Sequence, residues 1–431
     1  MNKKALIDRL QNLAMVLLAA SALFLLSRLP LLSGGWDSRV QALFTASPSN
    51  SGQGQTAPLT DTISSVHLMV TDDIEYGRYS HLYIPTDSLP SQITPLFQEA
   101  LGSASVLGIT ADKTLQEALR TPSIYLDLTV QLPLSVVAAW LDEAVGFERD
   151  VRAMALTTEE EDAAILYLYS ADGAIFRYET ALTVSAVRNV VREFSPNDGS
   201  FAFESNYAPM APYTILVSQA PRLPDVRASI PDGYSDYNLL SALDFNPHTN
   251  FRYVESNGVE VVEDSPRSLR IAPDGTVSYS VSGAVSSDLY SVPCSGEAPT
   301  AAEALQAAKR LAAALSSGTG ASPLSLCALE ATESGWIVSF RYQVEGCPVL
   351  QAGDRAALSV VVEGDAITAF TYRCRSYAPA TSGAESESGG QLPLLPPSIA
   401  VAIASLRPGA GLSIGYVDNG TEQLSACWLA G

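Results

Sequence analysis

The sequence opens with a short basic stretch followed by a long apolar run, and this combination constrains the chain more than any other feature. The segment from Leu13 to Leu26 contains no charged residue, and the run resumes after Arg28 and ends at Leu32. Its twenty residues are enough to cross about 30 Å of hydrocarbon as a helix. Because basic residues precede the run, the positive-inside preference predicts a single-pass membrane helix with a cytoplasmic N-terminus and an extracytoplasmic body.

A cleaved signal peptide is the alternative interpretation, since the uninterrupted apolar core is only fourteen residues long. The residues after Leu32 are Ser-Gly-Gly-Trp-Asp, which lack the pattern of a cleavage site, so we prefer the uncleaved anchor. Within it, the small side chains of Ala19, Ala20, Ser21 and Ala22 follow one another. Small residues let helices pack closely in lipid, so this patch is a candidate helix–helix contact, although ordinary alanine content is the simpler explanation.

The charge balance is strongly acidic, with 46 Asp and Glu residues against 25 Lys and Arg residues and a net charge of −21. Such a chain repels phosphate backbones, which excludes nucleic-acid binding. The three histidines, His67, His81 and His248, are far apart and lack the spacing of metal ligands. We therefore predict no metal site and no cofactor.

All five cysteines lie in the C-terminal half, at positions 294, 327, 347, 374 and 427. An odd number leaves at least one thiol outside any disulfide within the chain, and no C-x-x-C motif is present. An extracytoplasmic location permits disulfides, but the spacing leaves their pairing open. Small buried apolar side chains are the preferred interpretation.

Catalytic motifs give no support for an enzyme. Neither a nucleophile elbow nor an H-E-x-x-H metal motif nor a glycine-rich phosphate loop is predicted. Acidic runs at Asp72–Asp73, with Glu75 nearby, and at Glu159–Asp162 could in principle supply a pair of catalytic carboxylates. Runs of this kind are more typical of solvated surface, and His248 is more typical of a loop residue than of a base. We therefore predict that the protein is not an enzyme.

Apolar periodicity and turn residues predict an α+β fold of short helices and antiparallel strands. Asp172-Gly173, Asn257-Gly258 and Asp274-Gly275 each separate two strand-like runs and predict hairpins. Thr300 and Glu303 form a capping box in front of an apolar helical stripe. The membrane helix is thus expected to precede several small domains, each with helices on an antiparallel sheet.

Composition shifts divide the chain into five predicted parts. They are a cytoplasmic tip and transmembrane anchor at 1–36, a flexible tether at 37–63, an N-terminal α+β domain at 64–220, a β-meander domain at 236–290, and a C-terminal helix-on-sheet domain at 298–431 with a Ser/Gly/Glu-rich loop at 379–391.

Several stretches resemble the YycH/YycI family. The segment from Phe245-Asn246-Pro247 through the Asn257-Gly258 turn to Ser268–Ile271 is similar to that family, and so is the turn Gly346–Val349 before the closing Gly415–Asp418. The similarity extends over about 236–428, and it rests on turns and strand patterns. The length of the chain and its single N-terminal helix suit YycH better than the shorter YycI.

The resemblance implies a non-catalytic regulator of a bacterial sensor histidine kinase. Members of the family associate with the kinase, and with a companion regulator of the same family, through the membrane helix and the outer domains. They tune a two-component system that controls cell-wall metabolism.

An anchored binding module for a cell-envelope ligand, such as a peptide or a wall fragment, is the alternative function. The alternating aromatic stripe from Trp336 to Tyr342 could line such a site. Alternating aromatic residues on a strand more often belong to a core, so exposure of the stripe distinguishes the two interpretations.

Overall fold

The structure, a computed structural model, describes residues 59–73, 77–205, 210–232, 234–284, 287–296, 298–353, 355–380 and 394–431. The chain from Thr56 to Gly431 forms one compact unit. The predicted anchor, most of the tether and the patch Ala19–Ala22 lie outside the described residues. In the described part of the chain, no helix is both long enough and apolar enough to cross a membrane.

The observed architecture is mixed α+β, as predicted, with strands forming most of it. The first sheet contains seven antiparallel strands in the order β2-β1-β4-β5-β6-β7-β3. These strands are β1 (Ser65–Asp73), β2 (Gly77–Pro85), β3 (Ser105–Thr110), β4 (Ser123–Pro133), β5 (Asp150–Thr157), β6 (Ala163–Tyr169) and β7 (Ile175–Thr183). Four helices accompany the sheet, namely α1 (Ile93–Gly102), α2 (Asp112–Ala118), α3 (Leu134–Trp140) and α4 (Val184–Val191).

Two small sheets border the large ones. One pairs β8 (Ser200–Phe201) with β9 (Ile215–Leu216), and the other contains β10 (Val226–Ser229) between β20 (Ser376–Pro379) and β22 (Gln423–Leu424). Tyr125 of the first sheet contacts both Phe201 and Tyr213 through their aromatic rings. The segment around β8 and β9 therefore covers part of the first sheet.

The second large sheet contains eleven strands. Ten of them follow the order β11-β12-β13-β14-β19-β18-β16-β17-β21-β23, and β15 pairs with β16. They are β11 (Arg252–Val254), β12 (Glu260–Asp264), β13 (Arg267–Ile271), β14 (Thr276–Val281), β15 (Leu324–Ala331), β16 (Gly335–Val344), β17 (Cys347–Gln351), β18 (Leu358–Glu363), β19 (Ala366–Arg373), β21 (Leu412–Asp418) and β23 (Cys427–Ala430). Pairing of β14 with β19 joins the predicted meander and the predicted C-terminal block in one sheet.

Three helices belong to this second half, namely α5 (Asp236–Ala242), α6 (Ala301–Thr319) and α7 (Pro397–Ala404). Helix α6 begins at the predicted capping box, where Glu303 N donates to Thr300 Oγ1 at 3.3 Å and Thr300 N donates to a Glu303 carboxylate oxygen at 2.7 Å. Its apolar face, with Leu305, Leu311 and Leu315 fully buried, packs on β15, β16 and β18. The capping box and the helical stripe are confirmed.

Local turn chemistry is also confirmed. The three predicted hairpins connect β6 to β7, β11 to β12 and β13 to β14. The aromatic stripe of β16 belongs to the core, since Val338, Phe340 and Tyr342 are buried and Trp336 is half-buried. One continuous hydrophobic core includes side chains of both large sheets.

The cysteines are thiols, and no disulfide joins any two of the five. Cys347 and Cys374 are buried, whereas Cys294, Cys327 and Cys427 are half-buried. Burial raises the pKa of the Cys347 thiol to about 12, so this side chain is uncharged at neutral pH. The interpretation as small buried side chains holds fully for two cysteines and partly for the other three.

A charge network around the buried Asp418 joins β21 of the second sheet to β20 of the three-stranded sheet. Arg375 donates to both carboxylate oxygens of Asp418, at 2.8 and 3.0 Å, and the hydroxyl of Tyr377 donates to the same group at 2.7 Å. Gly420 N adds a further hydrogen bond at 2.8 Å. Four donors on one carboxylate compensate for its removal from water, so the network fixes β21 against the strand that contains Tyr377.

The close approach of β16 to β18 gives a first prediction. A methyl group at Gly335 would lie 2.0 Å from the carbonyl oxygen of Val362, whereas one at Gly146 would meet no atom within 4 Å. Gly335→Ala should lower the free energy of unfolding by about 1–3 kcal/mol, because backbone must shift to admit the methyl. Gly146→Ala should change it by less than about 0.5 kcal/mol. Urea denaturation of both variants checks this, and equal effects would contradict the packing described.

Candidate functional site

The residues singled out from the sequence are dispersed in the structure. Ala19–Ala22, the proposed helix contact, lie outside the described residues. His248 is exposed in a loop, as predicted. In the acidic run 159–162 three residues are exposed, but Glu159 is half-buried and accepts a hydrogen bond from the Tyr167 hydroxyl at 2.6 Å. Asp73 is exposed and Asp72 half-buried, while Glu75 lies outside the described residues.

Two kinds of catalytic site can be compared with the structure, namely a metal site and a serine nucleophile. No group of three or more His, Cys, Asp or Glu side chains in the described residues is arranged to hold a metal ion. The segment Gly411-Leu412-Ser413-Ile414-Gly415 does have the G-x-S-x-G spacing, so the statement that the sequence contains no match to this motif was wrong. A nucleophile elbow requires a sharp turn from strand to helix. Ser413 instead lies within β21, paired with Leu429 of β23.

An ionic cluster of one buried and two half-buried side chains occupies the first sheet near its contact with the second. Asp127 of β4 accepts from Arg152 Nε at 2.9 Å and lies 3.3 Å from His67 Nδ1. Thr129 N donates to the same carboxylate at 2.8 Å. The ring of Tyr83 meets the His67 ring edge-on, with the ring centroids 4.4 Å apart. Neighbouring strands thus place one acid between two basic side chains.

The cluster shifts the acidity of its carboxyl group. Burial by itself would raise the pKa of Asp127, but the charge of Arg152 and the hydrogen bonds from His67 and Thr129 outweigh it. The pKa of Asp127 therefore lies well below its usual range. Asp127 remains charged at every physiological pH, so the cluster is a permanent ion pair and not a proton donor.

The two large sheets meet in a seam beside this cluster. The Ser65 hydroxyl donates to the carbonyl oxygen of Gly346 at 3.1 Å, and the Gln343 side chain donates to the Ser65 hydroxyl at 3.2 Å. Gly346 approaches the backbone so closely that a methyl group on it would lie 2.5 Å from the carbonyl oxygen of Tyr83. The seam is therefore a direct backbone contact between the two halves of the molecule.

Strained residues and unpaired polar atoms collect at the seam. Tyr83, Thr129 and Glu345 have left-handed backbone conformations, with φ of 55°, 61° and 50°. Such conformations cost non-glycine residues about 1–3 kcal/mol each and cluster at functional sites. His67 Nε2 and Arg341 Nε are buried without a hydrogen-bond partner among the described residues. Each such atom costs about 1–3 kcal/mol, so the seam is not optimised for stability alone.

The second notable feature is the outer edge of the first sheet at β3. This strand reads Ser-Val-Leu-Gly-Ile-Thr and contains neither a charge nor a proline. It pairs with β7 only, and its free side faces no other described strand. The side chains of Val106, Leu107 and Ile109 are 57%, 48% and 75% exposed. A bulge between Val106 and Gly108 turns Leu107 outward.

The opposite edge of the same sheet is treated differently. At β2, Asn197 N donates to the carbonyl oxygen of Arg78 at 2.8 Å. The Asn197 side chain accepts from Ser80 N at 2.8 Å and donates to the Ser80 carbonyl oxygen at 2.7 Å. One asparagine thus satisfies three of the free backbone groups of β2, which protects this part of the edge. No described residue covers edge β3 in this way, which makes it a candidate site for pairing with a partner's strand.

Two further apolar surfaces are exposed. Helix α7 presents Ile399 and Ile403, four residues apart and therefore on one face. Edge strand β11 presents Tyr253 and Val254, but Arg252 at the start of the same strand is ion-paired with Glu260. A helix has no free backbone to share, and charge blunts the β11 edge. Of the three surfaces, β3 is the best suited to strand pairing.

No protein-family model, no curated protein and no solved structure matches the chain. What the surfaces can do has to be inferred from their own residues. Strand β3 was not predicted from the sequence, although the uncharged, largely apolar run Val106–Ile109 was a visible signal. The partnership of His67 with Asp127 had no such signal, because sixty residues separate them.

The ion cluster predicts a pH-dependent stability. A carboxyl group with a lowered folded-state pKa stabilises the protein above its unfolded-state pKa of about 4, and this contribution is lost as the pH falls toward the folded-state pKa. Asp127→Asn should lower the free energy of unfolding by about 3–5 kcal/mol at pH 7, because two basic side chains lose their partner. The gap to the wild type should narrow below about pH 4. Urea denaturation between pH 7 and pH 3 measures this.

Asp162, which is exposed, offers the matched control. Asp162→Asn should follow the wild-type stability over the whole pH range. A gap for Asp127→Asn that stays constant down to pH 3 would contradict the role assigned to the carboxylate.

Proposed function

We propose that the protein is a membrane-anchored, extracytoplasmic regulator that binds a sensor histidine kinase and acts without catalysis of its own. The observation that carries the proposal is the uncovered, apolar and uncharged edge strand β3. Proteins usually protect sheet edges, so an edge left open on a sheet whose other edge is capped favours a binding role. The similarity of the 236–428 region to the YycH/YycI family supports the kinase as the partner.

An open edge binds by backbone pairing. An extended segment of the kinase's outer domain would add an eighth strand to the first sheet, with main-chain hydrogen bonds supplying affinity. The exposed side chains of Val106, Leu107 and Ile109 would then be covered and would select apolar residues in the partner. The acidic body, with a net charge of −21 for the chain, favours a partner segment that also contains basic residues.

The membrane segment supplies the second contact in this proposal. The predicted helix at 13–32 would lie beside a helix of the kinase, with Ala19, Ala20, Ser21 and Ala22 at the contact. A companion regulator of the same family could occupy the remaining face. Tethering raises the effective concentration of the outer body at the kinase, so each contact can be weak on its own.

Substitution at the edge gives a direct prediction. Ile109→Lys places a charge on β3 and should reduce recovery of the kinase with the full-length protein by about tenfold, because a desolvated charge would enter the paired strand. The side chain is 75% exposed, so stability should change by less than about 0.5 kcal/mol. Co-purification of the kinase from membranes of the native cells, followed by quantitative mass spectrometry, measures the effect.

Ile403→Lys is the matched control, since it introduces the same charge at another exposed isoleucine, on α7. It should leave kinase recovery unchanged. Loss of the kinase with Ile403→Lys but not with Ile109→Lys would move the binding surface to α7 and contradict the assignment to β3.

Crosslinking from β3 tests both contacts, because the membrane contact should strengthen kinase capture at β3. A photo-crosslinking amino acid at position 107 should capture the kinase in intact cells, whereas one at the exposed Asn189 on α4 should not. Replacing Ala19–Ala22 with leucine should weaken crosslinking from position 107, because the helices could no longer approach closely. Capture of other envelope proteins and no kinase would refute the proposed function.

A further inference from the structure

A cleft of about 440 Å³ lies at the seam between the two large sheets. Residues of β17, β21 and β23 of the second sheet form its floor. The end of β2 forms one wall with Tyr83, and β16 contributes Arg341. The volume falls in the range of pockets that hold small ligands.

The charge of this cleft is unusual for so acidic a chain. Among the described residues that line it, Arg341 is the one cationic side chain and none is Asp or Glu. Four other clefts, of about 320 to 510 Å³, each include at least one acidic side chain. With 46 acidic residues against 25 basic ones, a cleft with a cation and no acidic side chain stands apart.

The guanidinium of Arg341 lacks the carboxylate partner that Arg152 and Arg375 have, and its Nε is buried without a hydrogen-bond partner among the described residues. Arg152 is paired with Asp127, and Arg375 forms a bidentate pair with Asp418. Arg341 forms no ion pair with any described carboxylate, and its Nη2 makes a single long hydrogen bond of 3.5 Å to the Thr129 carbonyl oxygen. A half-buried cation that is not neutralised is available to an anion.

Other groups in the lining fit an anion attached to a small apolar body. The hydroxyls of Tyr83 and Ser413, which are hydrogen-bond partners of each other, and the amide of Asn419 supply donors. Pro348, Leu350, Val417 and Leu429 supply an apolar floor. Gly431 also lines the cleft; one of its carboxyl oxygens accepts from Gly411 N at 2.8 Å, and the group forms no ion pair with Arg341.

We infer that this cleft binds a carboxylate carried on a small apolar ligand, such as the C-terminus of a short peptide or an N-acylated amino acid. Arg341 would bind the carboxylate, and the apolar floor would accept the adjoining side chain. The inference is independent of the proposed kinase contact, since β3 lies on the opposite edge of the first sheet from β2. Tyr83, whose backbone is left-handed, would touch the ligand, and backbone strain of this kind is often found at ligand-binding sites.

The test uses the full-length protein in lipid nanodiscs and isothermal titration calorimetry. The probes are N-acetyl-alanyl-alanine with a free carboxylate, in L,L and D,D forms, N-acetyl-alanine, and the C-terminal amides of the same compounds. At least one free acid should bind, and its amide should bind weaker by on the order of tenfold, because the amide leaves Arg341 unpaired. Preference for the dipeptide over N-acetyl-alanine indicates a peptide ligand, and chirality distinguishes ribosomal peptides from those containing D-amino acids.

Substitution of the arginine provides the second arm. Arg341→Gln should weaken binding of the acid by on the order of tenfold while leaving the weak binding of the amide unchanged. Arg227→Gln, at an exposed arginine on β10 outside the cleft, should bind as the wild type does. Circular dichroism and thermal melting establish that both variants are folded.

Failure of every free acid to bind the wild-type protein would overturn the inference. Equal binding of acid and amide would also overturn it, and this comparison needs no variant to fold. Equal binding by the wild type and Arg341→Gln would remove Arg341 from the site. None of these results would bear on kinase binding through β3.

Discussion

The close backbone contact between Gly346 and Tyr83 is the constraint on which the arrangement of the two large sheets depends. A methyl group at Gly346 would collide with the Tyr83 carbonyl oxygen. The hydrogen bond from the Ser65 hydroxyl to the Gly346 carbonyl oxygen also holds the two segments together. The contact lets one hydrophobic core extend through both sheets. It also explains why left-handed residues, an ionic cluster and an unneutralised arginine are found together there. Close packing of two sheets restricts the backbone and side-chain conformations available at the contact, so some residues there are strained.

The two edges of the first sheet divide its tasks. Edge β2 is capped by Asn197 and contacts the second sheet near its end, whereas edge β3 is open and apolar in the described part of the chain. A binding protein needs both properties, because a partner strand attaches to a rigid template only when the rest of the sheet is fixed. In this account the seam provides rigidity, β3 provides the surface for another protein, and the nearby cleft provides a place for a small anion.

Local features of the fold could be predicted from the sequence, and long-range features could not. The hairpins at Asp172-Gly173, Asn257-Gly258 and Asp274-Gly275, and the start of α6, depend on residues a few positions apart and were predicted. Strand β3 was missed because its pairing with β7 joins segments about seventy residues apart. The junction of β14 with β19 was missed for the same reason. The seam and the contact of His67 with Asp127 join residues far apart in the sequence. Such contacts produce no periodic pattern of residues, so only the three-dimensional structure could identify them.

Hydrogen–deuterium exchange of the full-length protein in membranes, with and without the co-expressed kinase, tests the central claim most directly. Backbone pairing at an open edge must slow exchange of the amides it uses, since each becomes a hydrogen-bond donor within a sheet. We expect slower exchange in residues 105–110 when the kinase is present, with no change in residues 77–85 of the capped edge. Unchanged exchange at 105–110 in a sample that demonstrably contains the bound kinase would contradict the account.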